Sequence, residues 1–233
     1  KKNKINIGVI GIGYLGKYHL EKFLTHKKCA VQWIVDKNLN NIDKNLTNNI
    51  KLTTNYKEIH QDIDAVSIVT PTNCHYEIAR YFLSHKKHVL IEKPMTQTVL
   101  EASKLIALAK KHKVVLQAGH LERFNPVMSK LSDDINSPVF IEVHRLAKFN
   151  PRSTDVNVVF DLMIHDIDIV STLVNKKIKN IVAFGKKIIT NSINKIRKKL
   201  KKINRLNYEL IIIDDGSTDD SLKLLRKMNK KDI

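Results

Sequence analysis

The chain has 233 residues, 42% of them hydrophobic and 27% charged, enough apolar material for one full domain and part of another. No run approaches the roughly 20 apolar residues of a membrane span, and the two cysteines, Cys29 and Cys74, are far apart with no metal-ligand spacing, so a spanning protein, a disulfide framework and a metal site are not expected, and a cytoplasmic location is. The net charge of +18 raises nucleic-acid binding, but residues 191–233 carry only +6 of it, from 12 basic and 6 acidic side chains, and the rest is spread without interleaved aromatics or a recognition-helix pattern; the excess reads as solvated surface, with neither nucleic acid nor membrane as a partner.

The chain opens on Lys1 rather than Met, as it would after loss of its true start or of a leader. Ile5–Ile10 reads as a short buried strand, a glycine run turns the chain, and Leu15, Leu20, Phe23 and Leu24 give Tyr14–Thr25 a helical apolar face. Strands follow at Val31–Val35, ending on Asp36, and at Ala65–Val69, ending on Thr70-Pro71-Thr72; the Asn-rich stretch 38–49 between them is a weak helix. Ile78–Leu83 lies on a helix, Val89–Ile91 is a strand running into Glu92-Lys93-Pro94, and a helix over Thr98–His112 precedes a strand over Val114–Gln117. Strands alternating with helices at this rhythm imply an α/β fold, a doubly wound parallel sheet over residues 1–120.

From Pro138 the pattern changes. Val139–Arg145 alternates like a half-exposed strand, Val158–Leu173 is an apolar-periodic helix, and Ile178–Ile189 reads as one or two strands, the opening of an α+β domain over residues 121–190. Near Thr190 it changes again, to a basic amphipathic helix (Ile193, Ile196, Leu200, Ile203), a strand (Tyr208–Ile213), an Asp214-Asp215-Gly216-Ser217-Thr218 turn and a last helix (Ser221–Met228), a third segment over residues 191–233.

Gly11-Ile12-Gly13-Tyr14-Leu15-Gly16 follows a strand and opens a helix, the context in which three such glycines bind a dinucleotide. Gly11 permits the tight turn, Gly13 lets the backbone approach a pyrophosphate, and Gly16 lets the helix lie on the strand. Asp36 at the end of the next strand would accept hydrogen bonds from ribose hydroxyls and repel a 2'-phosphate, which favours NAD over NADP. Lys93, at the carboxyl edge of the sheet, reads either as the group that polarises a substrate hydroxyl or as an exposed lysine before a turn-setting proline. Asp161 and His165 stand one helical turn apart on one face; either the carboxylate holds an imidazole that takes an alcohol proton, or Asp161 is a helix N-cap and His165 a satisfied core residue.

Taken together, the Gly8–Gly16 run, Thr70-Pro71-Thr72 with His75, Glu92-Lys93-Pro94, and Asp161 with His165 resemble the glucose-fructose oxidoreductase and inositol dehydrogenase family, Gfo/Idh/MocA, over about residues 3–190. The resemblance implies a Rossmann domain followed by a substrate domain on an open sheet, a cis peptide before Pro94, and catalytic roles for Lys93, Asp161 and His165. It implies an NAD site drawn from Gly11, Gly13, Tyr14, Leu15, Gly16, Asp36, Thr70, Pro71, His75, Glu92 and Lys93. His120 and Arg123 would lie on the substrate side, Arg123 being suited to a diphosphate. The stretch Gly119–Pro126, with Asp161–Ile169, looks like the branch that oxidises the 3-hydroxyl of UDP-N-acetylglucosamine, although apolar Val158-Val159-Phe160 replaces the paired glycines of many members. Homo-oligomers through the face of the open sheet are a further implication.

Residues from about 192 to 233 resemble the start of family 2 glycosyltransferases, carried by Tyr208–Ser221. That family's first strand, its later metal-binding acids and its catalytic base are absent. The expectation is therefore a complete cofactor domain, a substrate domain that stops early, and a foreign β-α tail. The activity is either sugar or sugar-nucleotide dehydrogenation or, failing turnover, cofactor binding by a fragment, with a glycosyltransferase relic as the reading from another enzyme class.

Overall fold

The computed structural model describes residues 4–42, 49–135, 138–145, 158–174 and 176–182. The chain divides into two compact units, Lys1–His120 and Leu121–Ile233. The further division expected near Thr190, with the basic helix, the strand over Tyr208–Ile213, the Asp214–Thr218 turn and the last helix, lies outside the described residues.

In the first unit, β1 (Ile5–Ile10) leads through the glycine turn to α1 (Tyr14–Thr25). There follow β2 (Cys29–Val35), β3 (Lys51–Thr53), β4 (Ala65–Ile68), α2 (Thr72–Ser84), β5 (His88–Ile91), α3 (Val99–His112) and β6 (Leu116–Ala118). The six strands form one sheet in the order β3-β2-β1-β4-β5-β6, parallel at every pairing. This is the Rossmann-like sheet read from the sequence. Its order reverses between β1 and β4, and a crevice beyond the carboxyl ends of strands opens at such a reversal.

The strands are near-continuous apolar runs because both faces of the sheet are covered. Ile7 and Val9 of β1 pack with Leu20 of α1, Ile34 and Ile42, while Ile10 of the same strand packs with Phe82 and Ile78 of α2 and Leu105 of α3. The alternation of one strand thus supplies two cores on opposite faces. Helix α3 is set by a capping box: Thr98 Oγ1 accepts from the Glu101 amide at 3.2 Å, and Glu101 Oε2 accepts from the Thr98 amide at 3.0 Å.

Sequence reading and structure differ in places. Strand β3 was not anticipated, being only three residues long at the sheet edge, too short for a period to register. Of the weak helix over 38–49, the described residues show one 3-10 turn, Leu39–Asn41, capped by Asn38, whose side chain accepts from the Asn40 amide. Ile78–Leu83 lies on a helix as read, α2, which starts at Thr72 with Pro71 in the N-cap position.

The second unit contains a 3-10 turn, Leu121–Phe124, then α4 (Pro126–Asp134), a π-helical turn over Val159–Met163, and α5 (Ile164–Val174). Helix α4 was not expected, although Asn125 as cap and Pro126 at the first helical position are its signal; the Asn125 side chain accepts from the Val127 amide at 3.0 Å. The strand expected over Val139–Arg145 is not formed; of the strands expected over Ile178–Ile189, residues 178–182 are irregular and exposed and the rest lies outside the described residues. Alternation alone does not make a strand; its backbone groups need a ladder, and among the described residues nothing pairs with these segments. Among the described residues no helix is long and apolar enough to cross a membrane, and no three His, Cys, Asp or Glu side chains cluster as metal ligands would.

Candidate active site

The glycine turn between β1 and α1 is dictated by its backbone. Gly11 has φ +87°, and a Cβ there would stand 2.5 Å from the carbonyl oxygen of Val69, so only glycine serves. A Cβ on Gly16 would fall 2.0 Å from the Gly11 carbonyl oxygen, so α1 lies directly on the turn. Gly13 is the reverse case: a Cβ there would meet nothing within 4 Å, and this flank of the turn is open. Helix α1 starts at Gly13 without a side-chain cap and without an acidic residue in its first turn, so its amides and positive end are available to an anion. Tyr14 and Leu15, in that first turn, are exposed. An open flank beside an uncapped helix start fits a dinucleotide pyrophosphate.

Asp36, just past β2, is held against this turn. Its Oδ2 accepts from the Ile12 amide at 2.7 Å and its Oδ1 from the Asn38 amide at 2.9 Å. Across the turn, past the end of β4, the Thr70 hydroxyl oxygen is buried with no hydrogen-bond partner among the described residues. A buried orphan hydroxyl is costly unless something satisfies it; the Thr70 backbone runs close to the turn, its amide nitrogen 3.1 Å from where a Cβ on Gly11 would stand.

The peptide between Lys93 and Pro94 is cis, as the resemblance implied. Lys93 is half-buried and Glu92 only 7% exposed. The Glu92 carboxylate is engaged internally: Oε1 lies 3.1 Å from His19 Nε2, and Oε2 accepts from the Lys93 amide at 3.2 Å. Gly119 makes room for it, since a Cβ there would stand 2.7 Å from Oε1. Burial pushes the Glu92 carboxyl up, but the hydrogen bond and charge of His19, with the amide and charge of Lys93, outweigh it and hold the group below its ordinary value.

His19 and Ser67 were not singled out from the sequence. His19 Nδ1 is 2.9 Å from Ser67 Oγ, so the imidazole bridges a serine and a glutamate. Ser67 is 0% exposed, so this bridge is wholly internal. The sequence signal available was His19's position three residues beyond Gly16, on the packed side of α1.

His75, expected at the ligand, is 1% exposed, with Nδ1 3.0 Å from the Pro94 carbonyl and Nε2 2.8 Å from the Thr70 carbonyl. Both ring nitrogens face backbone, so the ring is a strut tying the Thr70 loop to the Pro94 segment rather than a lining residue. Glu92 is turned inward in the same way. His120 is half-buried past the end of β6, where the preceding Gly119 amide donates to the Ile91 carbonyl at 2.7 Å.

In the second unit Asp161 lies inside the π-helical turn and His165 in the first turn of α5, both half-buried. Val158 occupies the N-cap without a side-chain bond, so Asp161 is not the helix cap. Such π turns are frequent at functional sites. Two further aspartates of α5 are clamped by arginines. Arg145 Nε and Nη2 reach the two oxygens of Asp166 at 2.8 and 2.7 Å, and Arg123 makes the same fork onto Asp168. Hydrogen bonding to these acids holds both guanidiniums above their ordinary range. Arg123, expected on the substrate side, presents its planar fork to the buried Asp168 carboxylate.

Residues 5–120 match the family described as oxidoreductase family, NAD-binding Rossmann fold (GFO_IDH_MocA), and residues 181–233 match glycosyl transferase family 2. The chain is 34% identical over 186 residues to the UDP-N-acetylglucosamine 3-dehydrogenase of Acidithiobacillus ferrooxidans, an alignment covering 79% of this chain and 59% of that protein. Among solved structures, the GnnA enzyme of that name and organism superposes with a TM-score of 0.74 at 33% identity, over 81% of this chain and 60% of the other. The apo scyllo-inositol dehydrogenase of Lactobacillus casei superposes at 0.68 with 25% identity, over 76% and 56%. The chain thus spans about three fifths of the length of such relatives.

Proposed function

Because residues 5–120 belong to the Gfo/Idh/MocA oxidoreductase family, we propose that this chain binds a nicotinamide dinucleotide, NAD ahead of NADP, and is built to oxidise an alcohol of a sugar or nucleotide sugar. The observation that carries the reading is the Gly11–Gly16 turn, open beside Gly13 and feeding an uncapped helix, between fixed Asp36 and the orphan hydroxyl of Thr70. In this reading the amides of the turn and of α1 hold the pyrophosphate, and Asp36 takes the ribose hydroxyls and repels a 2'-phosphate. When bound, the dinucleotide supplies the hydride acceptor.

The residues of the chain do the rest. Lys93 polarises the substrate hydroxyl and steadies the developing alkoxide. His165 takes the alcohol proton, and Asp161 holds its imidazole in the competent tautomer. The 3-hydroxyl of UDP-N-acetylglucosamine is the substrate we favour, on the likeness to the Acidithiobacillus ferrooxidans dehydrogenase. Residues 121–190 are then an incomplete substrate domain and 191–233 a glycosyltransferase-like tail. A cytoplasmic location goes with this reading, since Cys29 and Cys74 carry free thiols.

A second reading keeps the cofactor site without turnover. It is favoured by the match of residues 181–233 to a glycosyltransferase family and by the chain covering 59% of the dehydrogenase relative. Fluorescence titration with NADH and NADPH tests the binding claim, and absence of saturable NADH binding overturns both readings. NADH formation from NAD with UDP-N-acetylglucosamine, abolished by Lys93→Ala, separates enzyme from binding chain.

A further inference from the structure

His19 is the side chain that joins the cofactor turn to the lysine segment. It projects from α1, two turns of the chain beyond Gly13, and reaches Glu92 at the end of β5, 73 residues away in sequence. Its ring and the Glu92 carboxylate are 12% and 8% exposed, so little water competes for this contact. The other oxygen of Glu92 accepts the Lys93 amide, which places one carboxylate between α1 and the backbone of the residue that presents the amine. The absent side chain of Gly119 keeps that carboxylate from being displaced. Each partner has one place to go: a carboxylate only accepts, so Nε2 of His19 donates to Glu92, and Ser67 Oγ serves Nδ1 on the far side.

We propose that His19 is a positioning residue, locking α1 and its pyrophosphate-binding turn to the Glu92-Lys93 segment so that cradle and amine meet the dinucleotide as one preorganised unit. The inference rests on the cofactor reading above and adds to it a residue that touches neither cofactor nor substrate. Preorganisation of this kind lowers what binding must spend on ordering the two segments. A charge-assisted hydrogen bond of this burial corresponds to about tenfold or more in an equilibrium constant.

The test is NADH titration of the full chain carrying His19→Gln, His19→Asn or His19→Ala, with thermal melts by circular dichroism alongside. Glutamine sets an amide donor where Nε2 stood and keeps the link to Glu92; asparagine matches the Nδ1 side and keeps only Ser67. The expected result is that His19→Gln binds within about threefold of wild type while His19→Asn and His19→Ala weaken NADH by about tenfold or more, all three remaining folded. Equal binding by all three and wild type, or equal loss in Gln and Asn, overturns the proposal. Unfolding of all three variants overturns it as well, by making His19 a core residue. If wild type itself shows no saturable binding, the cofactor reading falls and takes this inference with it, whereas wild-type binding with indifferent variants removes the inference alone.

Discussion

A side-chain carbon on Gly16 would stand 2.0 Å from the carbonyl oxygen of Gly11, whereas one on Gly13 would meet nothing within 4 Å. Two glycines of one motif therefore have different physical duties. Gly16→Ala must push α1 off the turn, and a loss of about 1–3 kcal/mol in urea unfolding is expected. Gly13→Ala should unfold like wild type yet lose saturable NADH binding, because its methyl group enters the space reserved for pyrophosphate. Equal stability loss in both would contradict this division.

Glu92 gives a pH signature. Its folded carboxyl lies below its ordinary value, so the folded state holds the ionised form more tightly than the unfolded chain, where the group titrates near about 4.3. That contribution is complete above the unfolded value and is lost as pH falls through the folded one. Glu92→Gln should therefore be less stable than wild type at pH 7, by about 1–2 kcal/mol, with the gap closing on acidification below about pH 4. Denaturant midpoints at several pH values measure it; a gap that widens in acid refutes the assignment.

Arg123 should matter to the second unit and not to the dinucleotide. Because its fork is matched to Asp168, Arg123→Lys keeps the charge but not the two parallel bonds, and a loss of about 1 kcal/mol is expected. NADH affinity should be unchanged. Weakened binding of UDP-N-acetylglucosamine without a fall in stability would place Arg123 on the substrate instead.

Asp36 should set cofactor choice. Wild type is expected to prefer NADH over NADPH by about tenfold or more, since a fixed carboxylate beside a 2'-phosphate is a like-charge contact. Asp36→Asn should bring the two affinities together. It should also weaken NADH somewhat, because Oδ2 fixes the Ile12 amide within the turn. A variant with undiminished discrimination would place selectivity elsewhere.

Apart from β3, the strands, α1 and the glycine turn are legible in the sequence because each is written in neighbouring residues: a buried strand, a turn that only glycine can make, a helix with its apolar face. Helix α4 is written as locally, in the Asn125 cap and Pro126 at the first helical position. Val139–Arg145 shows the opposite case, an alternating pattern that made no strand because alternation specifies a face and not a partner.

By itself, the amino-acid sequence determined a parallel α/β domain with a dinucleotide-type turn, since local sterics and periodicity suffice for both. Only the tertiary structure decided which polar groups meet: His19 finds Glu92 across 73 residues, Arg123 finds Asp168 across 45, and His75 turns inward to two carbonyls. Those pairings follow from strand order and helix packing, and the His19, Arg123 and His75–Pro94 contacts span 73, 45 and 19 residues, beyond any local window.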